Sequence, residues 1–115
     1  MVQHRSSLAV PVMRTAILLA ALAVAGSALA ADPAAGRIKA AACAVCHGPL
    51  GQSSAPDAPH LAGQPAIYVT AQLRNYRSGK RSHEVMGVVA KALRDGDIDD
   101  LAAWFASLQI RVDPP

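Results

Sequence analysis

Two cysteines and a histidine form the closest group of reactive side chains in the sequence. Cys43 and Cys46 are separated by two residues, and His47 directly follows the second cysteine. This C-x-x-C-H spacing is typical of a covalent haem attachment site. Each thiol can add to one vinyl group of the porphyrin, which brings the imidazole under the iron as an axial ligand. The chain has no other cysteine, so this motif would use both thiols.

Two other kinds of site contain the same cysteine spacing. A redox-active disulfide of the thioredoxin type lies near a βαβ pattern, and no such pattern surrounds residues 43–47. A closed structural zinc site needs four ligands, usually from a second close pair, whereas His4, His60 and His83 are widely scattered. Haem attachment is therefore the preferred prediction. A colourless C-x-x-C oxidoreductase with titratable thiols is an alternative.

The second axial position of a haem iron needs a ligand from elsewhere in the chain. Met86 is the only methionine that follows the first 30 residues, and its soft thioether would favour the ferrous state. We expect a loop to turn this sulfur inward. His83, three residues earlier, is a competing nitrogen ligand that would give bis-histidine coordination, and an open sixth position is the third possibility.

The ring of His47 also needs a partner that fixes its orientation. A ligating imidazole usually donates its second N–H to a carbonyl or a carboxylate. The backbone carbonyl of Pro59, in the loop that follows the motif, is the predicted acceptor. His60, next to it in sequence, is predicted to be a surface histidine or one that bonds within the loop.

The first 30 residues have the features of an export signal. Arg5 and Arg14 supply positive charge, residues 15–31 contain no charged side chain, and Ala-Leu-Ala at 28–30 matches the A-x-A cleavage pattern. We therefore predict a signal peptide over residues 1–30.

Cleavage would leave residues 31–115 as a single domain in the periplasm, an oxidising compartment suited to haem attachment. Met13 is a possible true start, because Met13-Arg14 and the apolar run after it already form a complete signal. Retention as an inner-membrane anchor is the less favoured interpretation, since the run is short and rich in alanine for a span of about 20 residues. The mature chain is predicted to have no membrane span.

Charge and size also restrict the possible functions. The whole chain has a formal charge of +3, and without Arg5 and Arg14 it has nine basic and eight acidic side chains, or +1. No polybasic run remains in the predicted domain, so we predict no nucleic-acid partner. A domain of about 85 residues is marginal unless something reinforces its core, and a covalent porphyrin would do so.

The mature chain shows helical patterns and no strand pattern, which predicts an all-α domain. The predicted elements are, in chain order, a helix from Asp32-Pro33 through Ala42, a loop over 48–63, a helix over 66–78 ended by Gly79, a short helix over 87–93 and a last helix capped by Asp95 or Asp97. In the last helix, apolar residues recur at helical spacing at Ile98, Leu101, Ala102, Phe105 and Leu108. Arg74 and Arg77 are predicted to point outward from the helix over 66–78.

With these residues in place, the sequence resembles the class I c-type cytochromes, and most closely one half of the two-domain di-haem periplasmic kind. The stretches that carry the resemblance are residues 43–47, 59–64 and 72–81, then Met86, then residues 97–108. They cover essentially the whole predicted domain in the order that the family requires.

The resemblance implies the class I cytochrome c fold, with three to four helices wrapped around one covalent haem c. It implies axial ligation by His47 and Met86 and a bond from the His47 ring to the Pro59 carbonyl. It also implies that the first and last helices cross near Gly36 and the Trp104–Phe105 pair. Relatives tend to have a serine cap at residues 94–96, where this chain has Arg-Asp-Gly, and a glycine there can weaken the helix by up to about 1 kcal/mol.

The predicted function is one-electron transfer rather than catalysis, because two filled axial positions leave no place for a substrate. The expected partners are a redox donor and acceptor, with the chain acting as a free carrier or as the haem subunit of a dehydrogenase or oxidase complex. A modest positive rim for acidic partners is predicted at Arg74, Arg77, Lys80, Arg81 and Lys91, unless these are ordinary solvated charges. The alternative function is a ligand-binding or sensing haem domain with a labile sixth ligand.

Overall fold

The computed structural model describes residues 30–115, so the predicted signal peptide lies outside the described residues except for Ala30. Helices and loops account for all of this part of the chain, and it contains no strand. The helices are α1 (Pro33–Lys39), α2 (Ala44–His47), α3 (Ala66–Ser78), α4 (Glu84–Lys91) and α5 (Asp95–Ser107). The predicted all-α class is confirmed, with four helices and the single turn α2. Across residues 30–115, no helix has the length and apolar character needed to span a membrane.

The first helix begins as predicted but ends early. Oδ1 of Asp32 accepts a hydrogen bond from the backbone N–H of Ala34 at 2.8 Å, and Pro33 occupies the first helical position. The predicted continuation through Ala42 is wrong, because a 3-10 turn, Ala40–Ala42, follows α1. Alanine favours the α-helix by propensity, so local preference does not account for the tighter turn, whose first residue, Ala40, is buried in the core.

Helix α1 packs against α5 at a position where only glycine fits. A methyl group on Gly36 would overlap the carbonyl oxygen of Asp100 and would lie 2.8 Å from Cβ of Trp104. The predicted crossing near Gly36 and Trp104 is confirmed. The guanidinium of Arg37 lies over the Trp104 ring, 5.8 Å from its centroid, and adds a cation–π contact to this crossing.

Charged groups reinforce the same crossing. Nζ of Lys39 lies 2.6 Å from Asp100 and 2.9 Å from Asp97, and the backbone N–H of Asp32 donates to Oδ1 of Asp100 at 2.8 Å. The hydrogen bonds from Asp32 and Lys39 hold the pKa of the Asp100 carboxyl below its usual range. The hydrogen bonds that Lys39 donates to Asp100 and Asp97 raise the pKa of Lys39. All of these groups therefore stay charged near neutral pH.

The apolar core lies mainly between α3 and α5. Its buried cluster consists of Ala40, Val69, Leu101, Ala102 and Phe105. Among residues 30–115, Ile98 is the largest side chain that is completely buried. The predicted apolar face of α5 is thus confirmed, although Leu108 is only half-buried. Two of the five clustered residues are alanines, so the protein's own side chains make a small core.

Helix α3 has the predicted bounds, whereas α4 does not. Gly79 ends α3 with φ +80°, a conformation that favours glycine. We predicted a helix over 87–93, but α4 begins at Glu84 because the ring of His83 caps it: Nδ1 accepts from the backbone N–H groups of Val85 and Met86. Histidine is not among the residues preferred at N-caps, so the sequence did not mark this start.

Helix α5 begins at Asp95, and Arg94 occupies its cap position. The prediction of Asp95 or Asp97 as the cap residue is therefore wrong. Asp97 instead lies at the third helical position, and its Oδ2 accepts from the backbone N–H of Arg94 at 3.0 Å. Gly96 falls within the first turn, as anticipated.

Candidate haem-binding site

The C-x-x-C-H motif forms a compact helical turn at the end of the 3-10 segment. Cys43 directly precedes α2, Cys46 and His47 lie on α2, and the backbone N–H of His47 donates to the carbonyl of Cys43 at 2.9 Å. Both cysteines are free thiols; Cys43 is half-buried against the core and Cys46 is exposed. Burial raises the pKa of the Cys43 thiol, so it is protonated near neutral pH. Both sulfurs are available to form thioether bonds.

His47 is held in one orientation by a backbone carbonyl. Its side chain is buried, with 7% of the residue exposed, and Nδ1 lies 2.8 Å from the carbonyl oxygen of Pro59. A carbonyl can only accept, so Nδ1 carries the ring proton and the lone pair belongs to Nε2. This is the contact that the sequence predicts, and it leaves Nε2 as the nitrogen able to bind a metal.

The loop over 48–63 brings Pro59 back to His47 through its own hydrogen bonds. The carbonyl of Gly51 accepts from the backbone N–H groups of Leu61 and Ala62 at 2.7 and 3.0 Å. Gly51 has φ +71°, and a methyl group on it would lie 3.0 Å from the Phe105 ring. A side chain would therefore disturb both the turn and the core beneath it.

Ser53 closes the same loop onto the motif, a role that sequence reasoning missed. Its Oγ donates to the carbonyl of Cys46 at 2.9 Å, and its backbone N–H donates to Nδ1 of His60 at 2.9 Å. The prediction that His60 bonds within the loop is confirmed. A serine seven residues beyond a helical cysteine gives no local signal, because only the closed loop brings the two together.

Met86 lies in the first turn of α4, half-buried, rather than in the loop that we expected. The competing residue, His83, uses Nδ1 as an acceptor at 3.2 Å from the N–H of Val85 and 3.3 Å from that of Met86. A neutral ring that accepts at Nδ1 carries its proton on Nε2. In this arrangement neither ring nitrogen of His83 has a lone pair to offer a metal.

A large apolar cofactor fits this set of residues, and a bare metal ion does not. Among residues 30–115, no three His, Cys, Asp or Glu side chains form a group that could hold a metal ion. Apolar side chains are exposed on three helices, at Val45, Ile67, Tyr68, Val85, Val88 and Val89. Two thiols, an oriented imidazole and a thioether on a separate helix are the donor set of a haem c. The fold and site together define an all-α haem c protein.

The chain belongs to the cytochrome c family, whose model, described as Cytochrome c, matches residues 24–109. Cytochrome c4 of Pseudomonas aeruginosa is 45% identical over 96 residues, which cover 83% of this chain and 48% of that protein. Cytochrome c-554(548) of Halomonas halodenitrificans is 42% identical over 81 residues, which cover 68% of this chain and 98% of that protein. The chain thus spans about half the length of the cytochrome c4 relative and nearly all of the shorter one.

A solved structure supports the same fold. The crystal structure of reduced recombinant cytochrome c4 from Pseudomonas stutzeri superimposes with a TM-score of 0.66 at 37% identity, covering 70% of this chain and 47% of that one. A further relative, from Stutzerimonas stutzeri, is named thiosulfate dehydrogenase electron acceptor and is 39% identical over 69 residues, 57% of this chain and 32% of that protein. The class I cytochrome c fold is confirmed. Covalent haem c as the cofactor is confirmed with it.

Proposed function

We propose that this chain is an exported one-electron carrier in which Cys43 and Cys46 bind the porphyrin covalently, and His47 and Met86 hold the iron from opposite sides. The observation that carries this proposal is the 2.8 Å contact between Nδ1 of His47 and the carbonyl of Pro59. Bound haem supplies reversible one-electron chemistry between ferric and ferrous iron. The protein's part is to hold the ligands, orient them and cover the apolar faces.

The Pro59 carbonyl has a defined task in this proposal. By accepting the Nδ1 proton it fixes the tautomer and the plane of the His47 ring, and it makes Nε2 a more basic donor. Loop closure at Gly51 and Ser53 keeps the carbonyl in place. A ligand held in this way needs little rearrangement when the charge on the iron changes.

Met86 is the sixth ligand that the chain supports best. The cap that His83 provides to α4 occupies its Nδ1, which argues against bis-histidine coordination. The same cap places Met86 at a fixed position in the first helical turn. A thioether ligand would raise the reduction potential relative to a second imidazole.

Export to the periplasm is part of the proposal, on the basis of the predicted signal peptide over residues 1–30. Redox proteins are the expected donor and acceptor, and the relative named thiosulfate dehydrogenase electron acceptor supports a dehydrogenase as the donor class. A free carrier and a haem subunit of a larger complex are both consistent with this role.

The positive rim available to an acidic partner is smaller than the sequence suggests. Arg74 and Arg77 form ion pairs with aspartates of α5, so their charges are largely neutralised. Arg81 lies over the ring of Tyr76, 4.6 Å from its centroid, and is exposed. The charges left for steering a partner are those of Arg81, Lys80 and Lys91.

Visible spectroscopy of protein matured with haem c tests the ligand set. We expect the wild-type ferric protein to show the weak red band of methionine-to-iron coordination. The ferrous protein should not bind carbon monoxide. Met86→Ala should abolish the band, lower the reduction potential and allow the ferrous iron to bind carbon monoxide. The control His83→Ala should retain the band. The double variant Cys43→Ala, Cys46→Ala should hold no covalent haem.

Other outcomes would indicate a different set of iron ligands or a different kind of site. Loss of the wild-type spectrum in His83→Ala, with Met86→Ala unchanged, would show bis-histidine coordination. Rapid carbon monoxide binding by the wild type would show an open iron and favour ligand sensing. Wild-type protein without haem and with two titratable thiols would contradict the proposal altogether.

A further inference from the structure

Arg77 connects α3 to the short segment that joins α4 to α5. Its Nη1 donates to the carbonyl oxygen of Leu93 at 3.0 Å, and its Nη2 lies 2.5 Å from a carboxylate oxygen of Asp95. Leu93 lies two residues beyond the end of α4, and Asp95 is the first residue of α5. One guanidinium on α3 therefore binds both the segment through which the chain leaves α4 and the first residue of α5.

Helix α4, which carries Met86, has few other attachments to the protein. Ala90 is its only buried residue, whereas Val85, Val88 and Val89 are exposed by 53%, 72% and 40%. The helix packs chiefly against α3. Burial of a single small side chain contributes little stabilisation, so the polar contacts at its two ends carry much of the restraint.

The two ends of α4 are restrained differently. At the N-terminal end, the His83 ring caps its own helix and lies edge-on to Tyr76 of α3, with 6.3 Å between ring centroids. At the C-terminal end, the restraint is the guanidinium of Arg77. We call its two hydrogen bonds, to Leu93 and Asp95, the Arg77 fork. A cation there also suits the partial negative charge at the end of a helix.

The chemistry of the fork makes it specific for arginine. A planar guanidinium presents two donors at fixed angles, so it can bind a carbonyl and a carboxylate at once, whereas an ammonium acts as a point charge. The ion pair with Arg77 also lowers the pKa of the Asp95 carboxyl, which keeps it charged near neutral pH. The side chain of Arg77 is 31% exposed and that of Asp95 is 70% exposed, so water competes for the carboxylate more than for the part-buried carbonyl bond.

We propose that Arg77 is a positioning residue for the sixth iron ligand: by holding Leu93 and Asp95 it fixes the C-terminal end of α4 and so keeps Met86 in place. This inference rests on the proposed ligation by Met86. Without the fork, α4 opens locally more often, and local opening is the step that lets an external ligand replace a weakly bound side chain. In this role Arg77 acts on Met86 through the helix, by way of its hydrogen bonds to Leu93 and Asp95.

Arg74 provides a matched control on the same helix. Its Nη2 lies 3.3 Å from Oδ1 of Asp99 on α5, so it is also an arginine of α3 paired with an aspartate of α5. No contact joins it to the segment between α4 and α5 among the hydrogen bonds of the described residues. Arg74→Gln and Arg77→Gln each remove one charge and one ion pair between α3 and α5, and only Arg77→Gln also removes the bond to the segment after α4.

The test is the rate at which imidazole displaces the sixth ligand in the haem-loaded ferric protein. Loss of the red band monitors this rate at a saturating imidazole concentration. Under that condition opening limits the rate. We expect Arg77→Gln to accelerate displacement by about tenfold, equivalent to about 1.4 kcal/mol. Arg77→Lys should fall between it and the wild type, and Arg74→Gln should stay within about twofold of wild type, the scatter of an exposed ion pair.

Two further measurements keep the outcomes distinct. Hydrogen exchange should accelerate at the α4 amides of Arg77→Gln and not at those of α5, which a general loss of stability would not produce. If Arg77→Gln does not mature, Asp95→Asn removes one arm of the fork and should give a smaller acceleration in the same direction. Equal displacement rates in Arg77→Gln and Arg74→Gln would overturn the inference. A wild type without the red band, or a Met86→Ala variant that keeps it, would instead overturn the ligation on which the inference rests.

Discussion

The backbone carbonyl of Asp100 occupies the space into which a side chain on Gly36 would extend. The same aspartate receives the backbone N–H of Asp32 and the ammonium of Lys39 through its carboxylate. Residue 100 therefore fixes α1 on α5 at the start, the middle and the end of α1. This crossing sets the direction in which the chain enters the C-x-x-C-H motif.

Replacing Gly36 by alanine should destabilise the domain. The added methyl group would lie 2.6 Å from the carbonyl carbon of Asp100, and backbone atoms cannot move aside as a flexible side chain can. We expect the free energy of unfolding to fall by about 1–3 kcal/mol, as for other overpacked sites. Denaturant unfolding of the haem-loaded protein measures the change. Unchanged stability would show that α1 and α5 do not approach this closely.

Replacing Gly96 by alanine should have the opposite effect. Gly96 lies in the first turn of α5, and no atom lies within 4 Å of the position that a methyl group would take. Alanine restricts the unfolded chain and favours the helix, so we expect a gain of up to about 1 kcal/mol. The same denaturant experiment applies. A loss of stability would indicate a contact on this face of α5, such as one made by a partner.

The ion pairs around Asp100 should give the domain a characteristic response to acid. Hydrogen bonds hold the pKa values of Asp97 and Asp100 below the usual range. A carboxyl with a lowered folded-state pKa stabilises the protein above its unfolded-state pKa, near 3.9, and this contribution disappears as the pH falls through the folded-state value. Unfolding free energy measured between about pH 5 and pH 2 should therefore decline toward low pH.

Asp100→Asn should flatten that decline and lower stability at neutral pH, because it removes the charge that Lys39 pairs with. Asp113→Asn, in the exposed C-terminal tail, is the control and should follow the wild-type curve. Parallel curves for Asp100→Asn and the wild type would mean that the carboxylate does not contribute to the acid response.

The His83 cap should be separable from iron ligation. Truncation to His83→Ala removes the acceptor for the N–H groups of Val85 and Met86, and loss of an N-cap typically costs about 0.5–2 kcal/mol. His83→Asn supplies a different acceptor at the same position and should restore most of that stability. Thermal unfolding measures the first effect, and both variants should keep the red band. A wild type that lacks the red band, with a spectrum that changes in both variants, would instead identify His83 as a ligand.

The features that were predicted correctly are set by residues close together in the sequence. The spacing of Cys43, Cys46 and His47 specified covalent haem attachment without reference to any distant residue. Helix α3 was predicted with its observed bounds. Pro65 and Gly79 flank it, and each favours a helix boundary through its own backbone preference. The apolar repeat of α5 needed only helical periodicity.

Features that have no standard local signal, or that depend on distant contacts, were missed or misplaced. The start of α4 was predicted three residues late, because a histidine ring served as the cap. Arg77 was expected to point outward from α3, and only the packing of α3, α4 and α5 brings it to Leu93 and Asp95. The 3-10 turn at Ala40–Ala42 opposes the helical preference of alanine, so this preference could not predict it.

The sequence by itself thus determined the cofactor chemistry, the all-α class, the start of α1 and the bounds of α3, since each is set by residue types at short spacing. The tertiary structure alone decided how the site is supported by the Ser53 contact that closes the loop and by the two hydrogen bonds of Arg77. The reason is physical. A hydrogen bond between groups separated by seven to eighteen positions exists only once the intervening chain has folded, and no local preference encodes its partner.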